Sequence, residues 1–302
     1  MRPLATGTLG LCLALSVITA CLAGPTLSPG SEKLAQATMA PPGAHEVTLT
    51  QGRSHWLYVL ASLGSQAGPF RIDPWAPISL LTPDAVTRLN QRLKDGMVKS
   101  PPISLGGVTL PVDLMTVDSH VTEMAERADG IRPLGLIGQD LLATTVVEFD
   151  LSQHVLRLGT ALGAETAGDD ILTFAGKDTR LPIIEVRIHD TNLRLLLDPT
   201  TEGVLLAYDS ARQAGMVASA TMDLTMNWQD RAATMPVFGE TLGVGPITRQ
   251  GQMVHVLPPH TAMPATPDPA ASGYDGLLGI GTITTHRVII DYPRQRVVLR
   301  PR

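Results

Sequence analysis

Along most of the chain apolar and polar residues alternate. Val47-Thr48-Leu49 and Glu185-Val186-Arg187-Ile188 repeat with a period of two, the pattern of half-buried β-strands. Strand–glycine–strand signals follow at Leu105-Gly106-Gly107-Val108 and Leu242-Gly243-Val244-Gly245. Helical signals are short. One covers 82–93, with Thr82 as N-cap and Pro83 at the first helical position; another covers 208–214 and stops at Gly215. The predicted elements are mostly strands with a few short helices.

The pattern repeats once. Residues 56–81 align without a gap on 181–206 at an offset of 125, Asp73-Pro74 falling on Asp198-Pro199 and Leu80-Leu81 on Leu205-Leu206. Each unit reads strand, turn, strand, Asp-Pro, loop, strand. Residues 135–158 align on 276–299 with seven of 24 positions identical, well above chance. Each of these begins Gly-Leu-aliphatic-Gly and contains a strand ending in Asp150 or Asp291, both read as turn residues. The second half carries extra residues in 222–237, with Asn227-Trp228-Gln229-Asp230 as a turn between two strand-like runs, and in a Pro/Ala/Thr loop over 258–273. The repeat predicts two β-rich lobes, 45–165 and 170–302.

The first residues break the pattern. An arginine precedes a short apolar run over 9–20, then Cys21, as in a secretory signal. Ile18-Thr19-Ala20-Cys21 resembles the bacterial lipobox. That resemblance implies a lipoprotein signal peptide over 1–20, lipidation of Cys21, and an envelope protein held on the outer membrane facing the periplasm. Residues 22–44, rich in Pro, Gly, Ala and Ser, read with Cys21 as a flexible tether over 21–44. The lipid is the expected membrane contact, because no other segment has 18 continuous apolar residues.

Composition narrows the chemistry. The chain has 302 residues, 17% of them charged, with a net charge of −5, so no basic field invites nucleic acid. Cys12 and Cys21 are its two cysteines, which removes cysteine nucleophiles and cysteine metal sites from the body. The eight histidines show no ligand spacing. No Gly-x-Ser-x-Gly elbow occurs, and the glycine order at 276–281 is wrong for a dinucleotide loop. Neither a cofactor nor a metal is expected.

Two β-rich halves, each with an apolar strand ending in Asp and a later aliphatic-aliphatic-Gly, resemble the pepsin and retropepsin aspartic peptidases. The resemblance implies a two-lobed acid-protease fold of β-barrel type. It makes Asp73 and Asp198 the catalytic pair, acting through a bound water on a peptide or protein substrate. Two carboxylates at such a site share one proton, so one serves as base and the other as acid. Trp75, Thr200 and Trp228 are the expected substrate-binding residues, Trp228 near the tip of a covering hairpin over 224–235.

The sequence departs from the family at the motif itself. Where the family has Asp-Thr/Ser-Gly, this chain has Asp73-Pro74-Trp75 and Asp198-Pro199-Thr200. Proline removes a hydroxyl and a backbone N–H, and Trp75 and Thr200 put side chains where glycine leaves room. Two functions therefore stand side by side: a membrane-anchored aspartic endopeptidase, or a catalytically silent relative that holds an extended peptide or protein between the lobes.

Overall fold

A computed structural model describes residues 38–39, 45–76, 78–161, 165–175, 181–201, 203–216, 223–226, 231–261, 263 and 273–302. Cys21, the lipobox-like run and Trp228 lie outside the described residues, as does most of the expected tether. Gln36–Arg302 forms one compact unit.

The first half supplies β1 (Thr38–Met39), β2 (His45–Gln51), β3 (Leu57–Leu63), β4 (Gln66–Ile72), β5 (Leu80–Leu81), β6 (Met97–Lys99), β7 (Ile103–Leu105), β8 (Val108–Leu110), β9 (Leu114–Val117), β10 (Gly135–Ile137), β11 (Val146–Asp150) and β12 (Val155–Gly159). Its helices are α1 (Pro83–Arg88), α2 (His120–Asp129) and α3 (Gln139–Leu142). Thr82 caps α1 as expected, its hydroxyl accepting from the Ala85 N–H at 3.3 Å. The helix is shorter than the sequence predicts, because Asn90 turns to φ 52° just beyond it. The Gly106-Gly107 signal is the β7–β8 hairpin, both glycines at positive φ.

The second half supplies β13 (Asp170–Thr173), β14 (Ile183–Ile188), β15 (Thr191–Asp198), β16 (Val204–Leu206), β17 (Asp223–Met226), β18 (Arg231–Val244), β19 (Ile247–Val256), β20 (Gly276–Gly279), β21 (His286–Asp291) and β22 (Arg296–Pro301), with α4 over Tyr208–Gln213. β17 and β18 form the expected hairpin over the extra residues of this half. Among the described residues the strands make two networks, one of fifteen and one of seven. The larger runs from β13, β22 and β21 through β11, β12 and β2 into the first half.

Each Asp-Pro segment is held the same way. β10 lies parallel to β4, with Ile137 opposite Ile72, and antiparallel to β5. β20 lies parallel to β15, with Leu278 opposite Leu197, and antiparallel to β16. These registers match position for position at the sequence offsets. Glycine is required in the inserted strand because its neighbours leave no room. A Cβ on Gly135 would overlap the Leu80 carbonyl, and one on Gly276 the Leu205 carbonyl. Gly138 and Gly279 press in the same manner on the carbonyls of Ala76 and Thr201.

β11 and β21 join the halves. They pair antiparallel with Val147 opposite Ile290, Glu148 opposite Ile289 and Phe149 opposite Val288. At the 141-residue offset these pairs exchange with one another about Glu148 and Ile289. The apolar faces of both networks merge into one core that includes Phe70, Ile72, Phe149, Leu197, Leu278 and Ile290.

Candidate functional site at the two aspartates

Asp73 follows β4, and Asp198 ends β15. Both are withdrawn from solvent, at 5% and 0% exposure. A buried carboxylate needs its lone pairs filled, and the two are filled differently.

Asp198 is held by hydroxyls of its own loop. The Thr200 N–H and hydroxyl both donate to Oδ1 at 2.8 Å, and the Thr201 hydroxyl donates to Oδ2 at 2.5 Å. Burial nonetheless pushes its carboxyl above the usual carboxylate range, the three threonine bonds opposing this and the charge of Asp73 adding to it.

Asp73 is held by a cation. Arg71 Nη2 donates to Oδ2 at 2.9 Å, with both side chains nearly buried. The N–H groups of Trp75 and Ala76 donate to Oδ1 at 3.1 and 3.2 Å. The Arg71 guanidinium stacks on the Trp56 ring, 3.9 Å from its centroid. Arg71 lies two residues before Asp73 on β4, so both side chains share one face. Its counterpart before Asp198 is Leu196, which is fully buried.

Trp75 turns away from Asp73. It is 3% exposed and clusters with Leu181, Ile183, Leu196, Leu205, Tyr274 and Leu277, all from the second half. The corresponding first-half positions hold Trp56, Tyr58, Arg71, Leu80 and Leu136. There Tyr58 and Ser54 donate hydroxyl bonds to Asp129 at 2.7 and 2.6 Å, which ties the end of α2 to the turn before β3. Burial is the largest cause that raises the Tyr58 hydroxyl above its usual range, with the Asp129 bond adding to it.

The sequence picked out Asp73, Asp198, Trp75 and Thr200, and all four lie in the two loops. Thr200 is 4% exposed and bonds to Asp198. Arg71 and Thr201 were missed. The signal for Arg71 was in the repeat: an arginine aligned with a leucine at an inward-facing strand position.

The described loops place each strand-end Asp beside an inserted aliphatic-aliphatic-Gly strand, the arrangement that the resemblance to pepsin-like proteins predicts. The comparisons agree at the level of fold. No family model and no curated protein sequence matches the chain. Among solved structures, the aspartic proteinase from Irpex lacteus is similar with a TM-score of 0.53 and 13% identity, over 86% of this chain and 97% of that one. The likeness is one of fold, mostly β and pepsin-like.

Proposed function

We propose that the chain is a two-lobed pepsin-like protein, with lobes 45–165 and 170–302, that holds an extended peptide or protein segment between the lobes without hydrolysing it. The observation that carries this reading is the Arg71–Asp73 ion pair. A working pair needs one carboxylate basic enough to take a proton from water and free to hold that water. A guanidinium on one oxygen of Asp73 and two N–H groups on the other occupy the places where that water would bind. Trp75 adds to this, filling the apolar pocket of the second lobe from within the protein. In this reading Trp75 and Thr200 are fixed parts of the cleft floor, and the β17–β18 hairpin is its cover. An extended segment would dock through backbone hydrogen bonds.

One observation favours the endopeptidase instead. Burial raises the carboxyl of Asp198 above the usual carboxylate range, the direction that favours a proton-holding partner in an aspartate pair. The test is cleavage of an unfolded, dye-labelled protein from pH 3 to 8. The expected result is no cleavage above background by the wild type. Cleavage that disappears in Asp198→Asn would establish the peptidase. In parallel, fluorescence anisotropy with extended peptides is expected to show saturable binding, and no binding of any peptide would remove the groove.

The lipobox-like Ile18-Thr19-Ala20-Cys21 supports an envelope location through a lipid on Cys21. Incorporation of labelled palmitate that is lost in Cys21→Ser is the expected result; equal labelling of the variant would exclude it.

A further inference from the structure

A cavity of about 500 Å³ opens beside the Asp198 loop. The Gln51–His55 turn forms one wall. β19 forms another through Arg249, Gln252 and His255, and Thr201 stands at the back. Two imidazoles and a guanidinium face this space, and among the described residues no carboxylate lines it. Two described acids nearby are already engaged. Asp198 sits behind Thr200 and Thr201 with no exposed surface. Glu240, opposite Gln252 on β18, is bound to His189 at 2.6 Å.

Arg249 is the anomaly. Its Nη2 donates to the neutral Thr284 hydroxyl at 3.2 Å, and its Nε is buried with no partner. An arginine normally meets a carboxylate or phosphate through its planar fork of donors. Here the charge stands against a cavity large enough for a side chain. The buried Nε makes the anion a matching partner rather than a solvated visitor, because an unfilled buried donor favours any acceptor that reaches it.

We propose that this cavity binds a carboxylate carried by the extended peptide, with Arg249 as the anchoring cation and Gln51 and Gln252 as neutral donors around it. The proposal rests on the peptide-binding reading above and narrows its ligand to acidic peptides. Two kinds of carboxylate have this chemistry, a Glu or Asp side chain and a free C-terminus.

Labelled heptapeptides in three forms separate them when titrated into the purified full chain. One form carries an internal Glu and an amidated C-terminus; the second has no acid and a free C-terminus; the third is wholly neutral. At least one acidic form is expected to bind about 10- to 100-fold more tightly than the neutral form. Arg249→Gln should abolish that preference and leave neutral-peptide binding unchanged, and Arg249→Lys should restore part of it. Equal binding of all three forms, or a preference that survives in Arg249→Gln, overturns the carboxylate site and leaves the peptide groove standing. Absence of binding by every form overturns the groove, and the site with it. Unchanged thermal melting of Arg249→Lys verifies that the comparison is made on folded protein.

Discussion

The two Asp-Pro loops share one backbone plan and differ in chemistry. Their inserted strands have the same register and the same crowded glycines. Yet Asp73 is neutralised by Arg71 over a tryptophan ring, whereas Asp198 is held by threonine hydroxyls under an apolar cluster. Trp75, at the position of Thr200, crosses into the second-half cluster. Backbone hydrogen bonds and glycine clearance thus fix the frame, while a few inward side chains decide what the frame can do. A symmetric catalytic pair needs like surroundings on both sides, and here one side has become an ion pair.

The sharpest way to break the comparison is at the crossing residue. Trp75→Ala should cost about 3–5 kcal/mol, since it empties a buried cluster, whereas Thr200→Ala at the matching position should cost only about 1 kcal/mol through a lost hydrogen bond. Urea unfolding of both variants checks this. Similar losses would mean that Trp75 contributes no more than a loop residue.

Removing the cation comes next. Arg71→Leu, which copies Leu196, leaves a buried carboxylate without its counter-ion and should cost about 3–5 kcal/mol. Adding Asp73→Asn should return much of that loss, because the charge to be compensated is then gone. A double variant no more stable than Arg71→Leu would place the value of Arg71 in its stacking on Trp56 alone.

The threonines of the second loop should be graded. Thr201→Val removes the sole described hydrogen bond to Oδ2 of Asp198 and is expected to cost about 1–3 kcal/mol. Thr200→Val removes one of two bonds to Oδ1 and is expected to cost less. Reversal of that order in chemical unfolding would show that Oδ1 carries the greater demand.

What the sequence revealed follows from what repeats. Alternating strands, the Thr82 cap and the Gly-Leu-aliphatic-Gly units are local rules, so they could be read directly. The aligned Asp-Pro dipeptides marked both carboxylates because backbone plan constrains them equally. Arg71 escaped because its role depends on Trp56, fifteen positions earlier, stacking beneath it. α2 escaped as well. Its ten residues are mostly polar and its buried face is little more than Val121, Thr122 and Ala125, too narrow a stripe for a helical period to stand out. Ser119 gives it no side-chain cap; Asp118 accepts the His120 N–H instead. Gly130, at φ 73°, was the remaining clue to its end.

The smallest effect is the most specific, because it reads the charge state of Asp198 without disturbing packing. Its folded carboxyl is raised above the unfolded value of about 3.9. Between the two values the native chain keeps a proton that the unfolded chain has released. The stability this group contributes is therefore complete below about pH 3.9 and is lost as pH rises through the folded pKa. Asp198→Asn has no proton to lose, so the wild type should fall behind the variant as pH climbs from 4 to 7. Asp169 gives the opposite control. Hydrogen bonds from Arg300 hold its carboxyl well below the usual range despite burial, so its contribution is present above about pH 3.9 and disappears on acidification. Asp169→Asn should narrow its deficit as pH falls, while Asp198→Asn gains as pH rises. Urea midpoints at half-unit steps from pH 3 to 7 measure both slopes. Parallel wild-type and Asp198→Asn curves would mean that the threonine bonds offset burial and leave the Asp198 carboxyl in its usual range.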